Sequence, residues 1–400
     1  MVSTVTTKHA RIVLVTLAAV LLGASADAPQ EWVSKPAPNC PFPRSREITG
    51  IAFTGRHAEY TDADTWYPSW AADGNQYSPF TDGTVDQVTS RSYGDPDKLT
   101  TGHARILGDD PLQLKVEPIG LHTASARPYE GRYPCGSLVH NGVWYYGTYC
   151  LTRKDPHLNW DVMGPFVGFR ISHDYGQTWI DTPRTPGNPL FGEPSQKGGK
   201  VKFGSPHFVD FGRNMEHSPD GKAYLVGHGA TRPDAQLSWI GGDQVYLCRV
   251  TPSPANMNDP ARYEFFAGRD AAGQPKWSRD FADIRPLVEW QDRTGCVTMT
   301  YIAPLRKYLM WITDGFPTIA TMNTWALESD RITGPWKLVT FMQKFGEQGY
   351  FVNIPSKFIS KDGRTAWLCY STNFTRDQKT NPPGGRYAMS LQEIRLMGAQ

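Results

Sequence analysis

An all-β fold is predicted by three features of the 400-residue chain. It carries 38 Gly and 32 Pro, it is 12% aromatic, and Asp-Gly or Asn-Gly turns recur along it, each followed by aromatics. Gly and Pro punctuate a chain into short elements, and aromatics fit the half-buried pleat of a strand. No segment reads as a long helix, and 20% charged residues with 39% hydrophobic ones exclude a coiled coil or a disordered tail. The formal net charge of +2 offers no broad field to nucleic acid or an anionic membrane, so neither is expected as a partner.

The N-terminus reads as an export signal. Lys8 and Arg11 precede the apolar run from Ile12 to Ala24, and Ala24-Ser25-Ala26 gives an A-x-A cleavage site before Asp27. Residues 1–26 are therefore expected to be removed, leaving residues 27–400 as one secreted, soluble, monomeric domain with a formal charge near zero. The six cysteines allow 15 complete pairings in an oxidising compartment. Cys135 and Cys150 flank one hairpin candidate and form the preferred pair, whereas Cys248 and Cys369 read equally as buried thiols. Asn373-Phe374-Thr375 is an N-glycan acceptor pattern.

Hairpin turns are expected at Asp73-Gly74, Asn141-Gly142, Asp220-Gly221 and Asp362-Gly363, because these dipeptides supply the positive φ of a type I′ turn. The first three lie about 70–80 residues apart, and the last interval is about twice that; Arg306-Lys307, before Tyr308, supplies the missing turn. A second signature, Ser172-His173-Asp174-Tyr175-Gly176-Gln177-Thr178-Trp179, fits the Asp-box pattern S-x-D-x-G-x-T-W of sialidase-like propellers, where it turns between the outer strands of a blade. Repeated hairpins plus an Asp box predict a β-propeller, which leaves few exposed edges. Five repeats of about 70 residues and seven blades of about 50 both fit this length. Two stretches, Pro183 to Lys200 and Thr251 to Pro275, read as surface loops.

Several polar residues stand where a funnel could use them. His103 and His122 each follow a glycine closely and precede strand-like segments; a structural role is the plainer reading of any lone histidine. His207, Arg213, Asn214 and His217 crowd the segment before the Asp220-Gly221 turn and suit a sugar acid or a metal, or simply water. Arg170 lies between Phe169 and Ile171 and so points off their face, into the funnel or out to solvent. A guanidinium forks onto a planar carboxylate. Trp66 and Trp70 offer faces on which sugar rings stack, although a packed first blade explains them as well, and Tyr301 and Asn353 complete the expected sugar-binding set.

Taken with the Asp box and the stretch Phe203 to Gly229, His103 and His122 resemble the fungal L-rhamnose-α-1,4-D-glucuronate lyases that uncap gum arabic side chains, relatives of propeller ulvan lyases and rhamnosidases. The resemblance implies seven blades, an anterior funnel, and β-elimination at the glucuronate of an acidic, arabinogalactan-type polysaccharide. It assigns His103 as base and acid, His122 as its partner, Arg170 (or Arg213) as the carboxylate clamp and Tyr149 as an auxiliary proton donor. No cofactor is required by that chemistry, and a structural divalent ion, calcium or zinc, is open. Two rivals stand beside it: a propeller glycosidase using carboxylates from Asp64, Asp73, Asp82 and Glu216, and a non-catalytic sugar-binding propeller.

Overall fold

The computed structural model describes Met1 and residues 28–155, 157–158, 160–193, 200–315, 321–377 and 379–398. The signal segment therefore lies outside the described residues, apart from Met1. Helix is confined to five 3-10 turns of three residues each among the described residues, as the composition predicts.

The strands form five antiparallel sheets, each a blade, taken here from the innermost strand outward. Blade 1 runs Asp62–Asp64 and Ser69–Trp70, Gln76–Val85, Thr100–Leu107, Lys115–Thr123. Blade 2 runs Gly131–His140, Val143–Thr152, Val162–Ser172, and ends on a single bridge from Ile171 to Ile180. Blade 3 runs His207–Phe208, Ala223–Gly229, Gln244–Val250, Glu264–Arg269, Pro275–Ser278. Blade 4 runs Val297–Ile302, Lys307–Asp314, Asn323–Ser329, Lys337–Met342. Blade 5 is assembled from both ends of the chain: Tyr350–Asn353, Thr365–Ser371 and Met389–Gly398, then Ile48–Tyr60 and Gln30–Glu31.

The count corrects the expected seven blades to five. Each of the five turns seen in the sequence joins the first two strands of one blade, and positive φ is found at Gly74, Asn141, Gly142, Gly221, Arg306 and Gly363. One turn per blade leaves no strands for two more. The stretch Thr251 to Pro275 is likewise more than a loop. It contains Glu264–Arg269, whose Phe265 and Phe266 are buried, with Phe266 packing against Trp277.

The Asp box sits where its pattern predicts, between the third strand of blade 2 and Ile180. Asp174 accepts from the Thr178 N–H at 2.8 Å and from the Thr178 hydroxyl at 2.6 Å, while the Gly176 N–H donates to Ser172 Oγ at 2.7 Å. The turn thereby drives Trp179 between blades 1 and 2, against Trp144 at 5.3 Å and His103 at 5.1 Å.

The expected Cys135–Cys150 disulfide is absent, and all six thiols are free. Strand register explains it. Cys150 lies opposite Arg132, three residues from Cys135, and the two sulfurs belong to separate apolar clusters.

Candidate active site

Two cavities lie on the propeller axis. The larger, about 560 Å³, opens where the innermost strands begin; Asp64, Tyr133, Tyr350 and Phe351 line it from those strands, and Thr65, Asp82, Tyr149, Trp160, Trp239, Phe374 and Tyr387 are among the other residues in its wall. The smaller, about 50 Å³, lies at the strand ends, among Ser69, Trp70, Ser137, His207, Thr298 and Asn353. Tyr149 and Asp64 face the first; Trp70, His207 and Asn353 face the second.

Asp64 and Asp82 form the chemical centre of the larger cavity. The Tyr350 hydroxyl donates to Asp64 Oδ2 at 2.8 Å and the Thr65 hydroxyl to Oδ1 at 2.8 Å. Asp82 Oδ1 accepts the Ser92 N–H at 2.7 Å. Burial raises the pKa of both carboxyls; the neighbouring Asp82 charge raises Asp64 further, and the Ser92 N–H holds Asp82 back. A buried carboxyl beside a half-buried one resists double ionisation, so Asp64 retains a proton where Asp82 is charged.

Local sequence builds this pair. Asp64 sits on the innermost strand and pairs with Thr81, next to Asp82 on the second strand. Gly83 permits the approach: a Cβ there would fall 2.0 Å from the Asp62 carbonyl oxygen. Thr65, Asp82 and Phe351 hold φ of 68°, 51° and 56°. A β-branched threonine there is strained, and such strain gathers where a site dictates side-chain direction. Three arginines stand at the rim, each over an aromatic ring: Arg91 on Tyr93, Arg153 on Trp160 and Arg376 on Tyr387.

The histidine pair expected from the sequence is not in either axial cavity. His103 lies on the third strand of blade 1, 2% exposed, with Nε2 3.0 Å from the Gly176 carbonyl and 3.2 Å from Trp179 Nε1. Burial and the Arg170 charge push its pKa down to about 3, so the ring is neutral and poorly basic. His122 shares the hairpin, but the register sets it opposite Thr101, and His103 opposite Gly120. His122 Nε2 meets Asp181 Oδ1 at 2.5 Å; burial and Arg170 lower its pKa against that carboxylate. Arg170 reaches neither the funnel nor solvent, but lies between blades 1 and 2.

The remaining expected contacts disperse. Trp66 is core, stacked on Phe80 at 5.7 Å with its indole N–H on the Ala63 carbonyl at 2.8 Å. Arg213 donates to the Ala72 carbonyl, and Asn214 ties its loop to Asn141 of blade 2 by bonds of 2.7 and 3.0 Å. Tyr301 packs on Tyr308 at 4.8 Å. Asn353 donates to the Trp66 carbonyl at 3.0 Å and the Phe351 carbonyl at 2.9 Å. Among the described residues no three of His, Cys, Asp and Glu gather in a group that could hold a metal ion. No helix among them is long and apolar enough to cross a membrane.

No family model matches the chain, and no curated protein matches it. Among solved structures it is similar to a putative hydrolase from Bacteroides ovatus (14% identity, 93% of this chain and 96% of that one, TM-score 0.45). It is also similar to a GH43_1 enzyme from Xanthomonas citri (13%, 86% and 91%, TM-score 0.46) and to Zg3597, a family 117 glycoside hydrolase from Zobellia galactanivorans (11%, 87% and 91%, TM-score 0.46). At these identities and TM-scores no function is carried over from them. The fold and site described above define a five-bladed propeller with a carboxylate pair in its axial cavity.

Proposed function

We propose that the protein is a glycoside hydrolase acting on a polysaccharide in the larger axial cavity, with Asp64 and Asp82 as its acid and base pair. One observation carries this: buried Asp64 and half-buried Asp82 lie together on adjacent strands in the wall of an aromatic-lined cavity of about 560 Å³. Protonated Asp64 donates to the departing glycosidic oxygen as the C–O bond breaks. Ionised Asp82 takes the bond-forming role, either on the anomeric carbon or through a water that it deprotonates. The aromatic wall stacks on sugar faces, and the rim arginines suit an acidic chain such as an arabinogalactan bearing uronates.

This reading replaces elimination, in which a base must face the sugar's C5 proton; the His103 ring faces Trp179 and a carbonyl instead. Digestion of an acidic arabinogalactan in H₂¹⁸O is the test. New reducing ends carrying one ¹⁸O are expected, whereas an ultraviolet-absorbing unsaturated uronate would restore the lyase. Export through residues 1–26 and a monomeric state belong to the same proposal, and intact mass together with sedimentation of the secreted protein checks them.

A further inference from the structure

The innermost strand of blade 5, Tyr350–Asn353, is distorted. Consecutive residues of a strand face opposite ways, yet Tyr350 and Phe351 both line the larger axial cavity. The register shows how. Tyr350 lies opposite Ser371 and Asn353 opposite Cys369, so three steps along one strand meet two along the other, which is a bulge. Phe351, inside the bulge, holds φ at 56°, a sterically costly conformation for a bulky side chain. Bulges re-aim side chains beside active sites, and strain of this kind persists only where the surroundings dictate it.

The side chain so aimed is Tyr350. It is 2% exposed, and its ring is held edge to face by Phe351 at 4.9 Å, Trp239 at 5.3 Å and Phe374 at 5.9 Å. Its hydroxyl donates to Asp64 Oδ2 at 2.8 Å across the seam between blades 5 and 1. A ring fixed on three sides leaves that hydroxyl little freedom to lose, so the bond is preorganised. Tyr387, the other phenol beside the acid pair, donates instead to the Asp82 backbone carbonyl at 2.7 Å, and Thr65 reaches Asp64 from the adjoining residue. Asp82 faces Asp64 from the second strand of blade 1, with the Arg91 charge acting on it, and Arg376 lies over the Tyr387 ring. Tyr67, Tyr133 and Tyr149 are the other titratable groups in electrostatic range of Asp64. Burial and the Asp82 charge raise the Asp64 pKa, and the Tyr350 hydroxyl leads the donors that draw it back. A hydroxyl that donates to a carboxyl favours its ionised form, the form Asp64 takes once its proton has gone to the departing oxygen.

We propose that Tyr350 is the positioning residue of the general acid: it holds Asp64 Oδ2 in place and stabilises the carboxylate that proton donation leaves behind. The assignment rests on the hydrolase reading above. In that step the Asp64 proton passes to the glycosidic oxygen, which keeps the electron pair of the broken C–O bond, and Tyr350 keeps its own proton throughout.

The experiment compares Tyr350→Phe, Asp64→Asn and the double variant with the unaltered protein, in turnover of an acidic arabinogalactan and in thermal scans from about pH 5 to about pH 9. Tyr350→Phe keeps the ring and removes the bond. Its kcat is expected to fall about 10- to 100-fold with KM within about threefold, and the upper limb of the pH–rate profile to move up by roughly one pH unit or more, because a carboxyl without its donor gives up its proton less readily. The scans read the same contact without turnover. Tyr350→Phe should lower the melting temperature more at the high end of the pH range, where Asp64 is driven to ionise, than at the low end, and this extra loss should vanish in the Asp64→Asn background. A kcat loss with an unmoved limb, or a loss of melting temperature equal at every pH and in both backgrounds, would overturn the assignment and make Tyr350 a packing residue, with Asp64 and Asp82 untouched as the pair. If the unaltered protein hydrolyses nothing while the extra loss is seen and vanishes with Asp64→Asn, the hydrolase reading falls and the hold of Tyr350 on Asp64 stands.

Discussion

Replacing Asp64 by Asn should inactivate the protein and stabilise it, in a way that grows with pH. The carboxyl is buried, and both its burial and the Asp82 charge raise its pKa, so the folded state favours the protonated form. In the unfolded chain the same group ionises near 3.9. Stability contributed by the raised pKa is therefore complete below that value and is lost progressively as pH rises towards the folded value. Each pH unit in this interval costs the native protein up to about 1.4 kcal/mol. The amide in the Asp64→Asn variant cannot ionise and escapes the penalty, although it answers only part of the hydroxyl pair from Tyr350 and Thr65. Between pH 5 and pH 7 the advantage of the variant should widen by at most about 3 kcal/mol, and by roughly half that if the pair shares one proton. Melting temperature moves by roughly 1–2 °C per kcal/mol in a chain of this length, extrapolating its inverse scaling with size. Thermal scans at both pH values should thus show a gap that grows by at most about 6 °C, and by about 2 °C if the pair shares one proton, while kcat falls about 10² to 10⁴-fold on an acidic polysaccharide. A gap that does not change with pH would refute the buried, proton-holding carboxyl, and an active variant would remove Asp64 from the chemistry.

Three further outcomes are expected. Gly83→Ala should reduce kcat at least tenfold, because the new methyl collides with the Asp62 carbonyl and displaces the strand that presents Asp64; unchanged kinetics would refute that dependence. His103→Gln should destabilise the protein by roughly the 0.5–3 kcal/mol usual for a disturbed buried site, seen as a lower melting temperature, and leave kcat within about threefold; a loss of about 10² or more would return His103 to the chemistry. Thiol titration of the denatured protein should find all six cysteines, and in the native state chiefly the half-buried Cys40 should react, whereas a shortfall of two would mean a disulfide.

The blade count was legible in the residues. Asp73-Gly74, Asn141-Gly142, Asp220-Gly221, Arg306-Lys307 and Asp362-Gly363 mark five hairpins, and the number seven entered only through resemblance. The Asp box was equally plain, because its hydrogen bonds close within eight residues. Distance from the axis was not legible. His103 looks funnel-facing after Gly102, yet its strand is third from the centre. Alternation turned Arg170 away from Phe169 and Ile171, but a strand has only two faces, and no local pattern tells a solvent face from a neighbouring blade. Asp64 and Asp82 were visible as two acids among four. What distinguishes them comes from Tyr350, 286 residues beyond Asp64, and from Tyr387, 305 residues beyond Asp82, whose hydroxyl meets the Asp82 carbonyl at 2.7 Å.

The pairing of Ile48–Tyr60 with Met389–Gly398 also orders events during synthesis. Met389–Gly398 is the last element in chain order, yet it lies inside its sheet, between Thr365–Ser371 and Ile48–Tyr60. A chain still being made thus carries Ile51, Ala52 and Phe53, all buried in the finished blade, with Gln30–Glu31 available to one edge of their strand and the other edge open until Met389–Gly398 is present. The ring closes only once Met389–Gly398 has been made, and until then that edge can pair with another chain. A stop codon that removes only the final strand should therefore yield aggregates rather than a four-bladed protein.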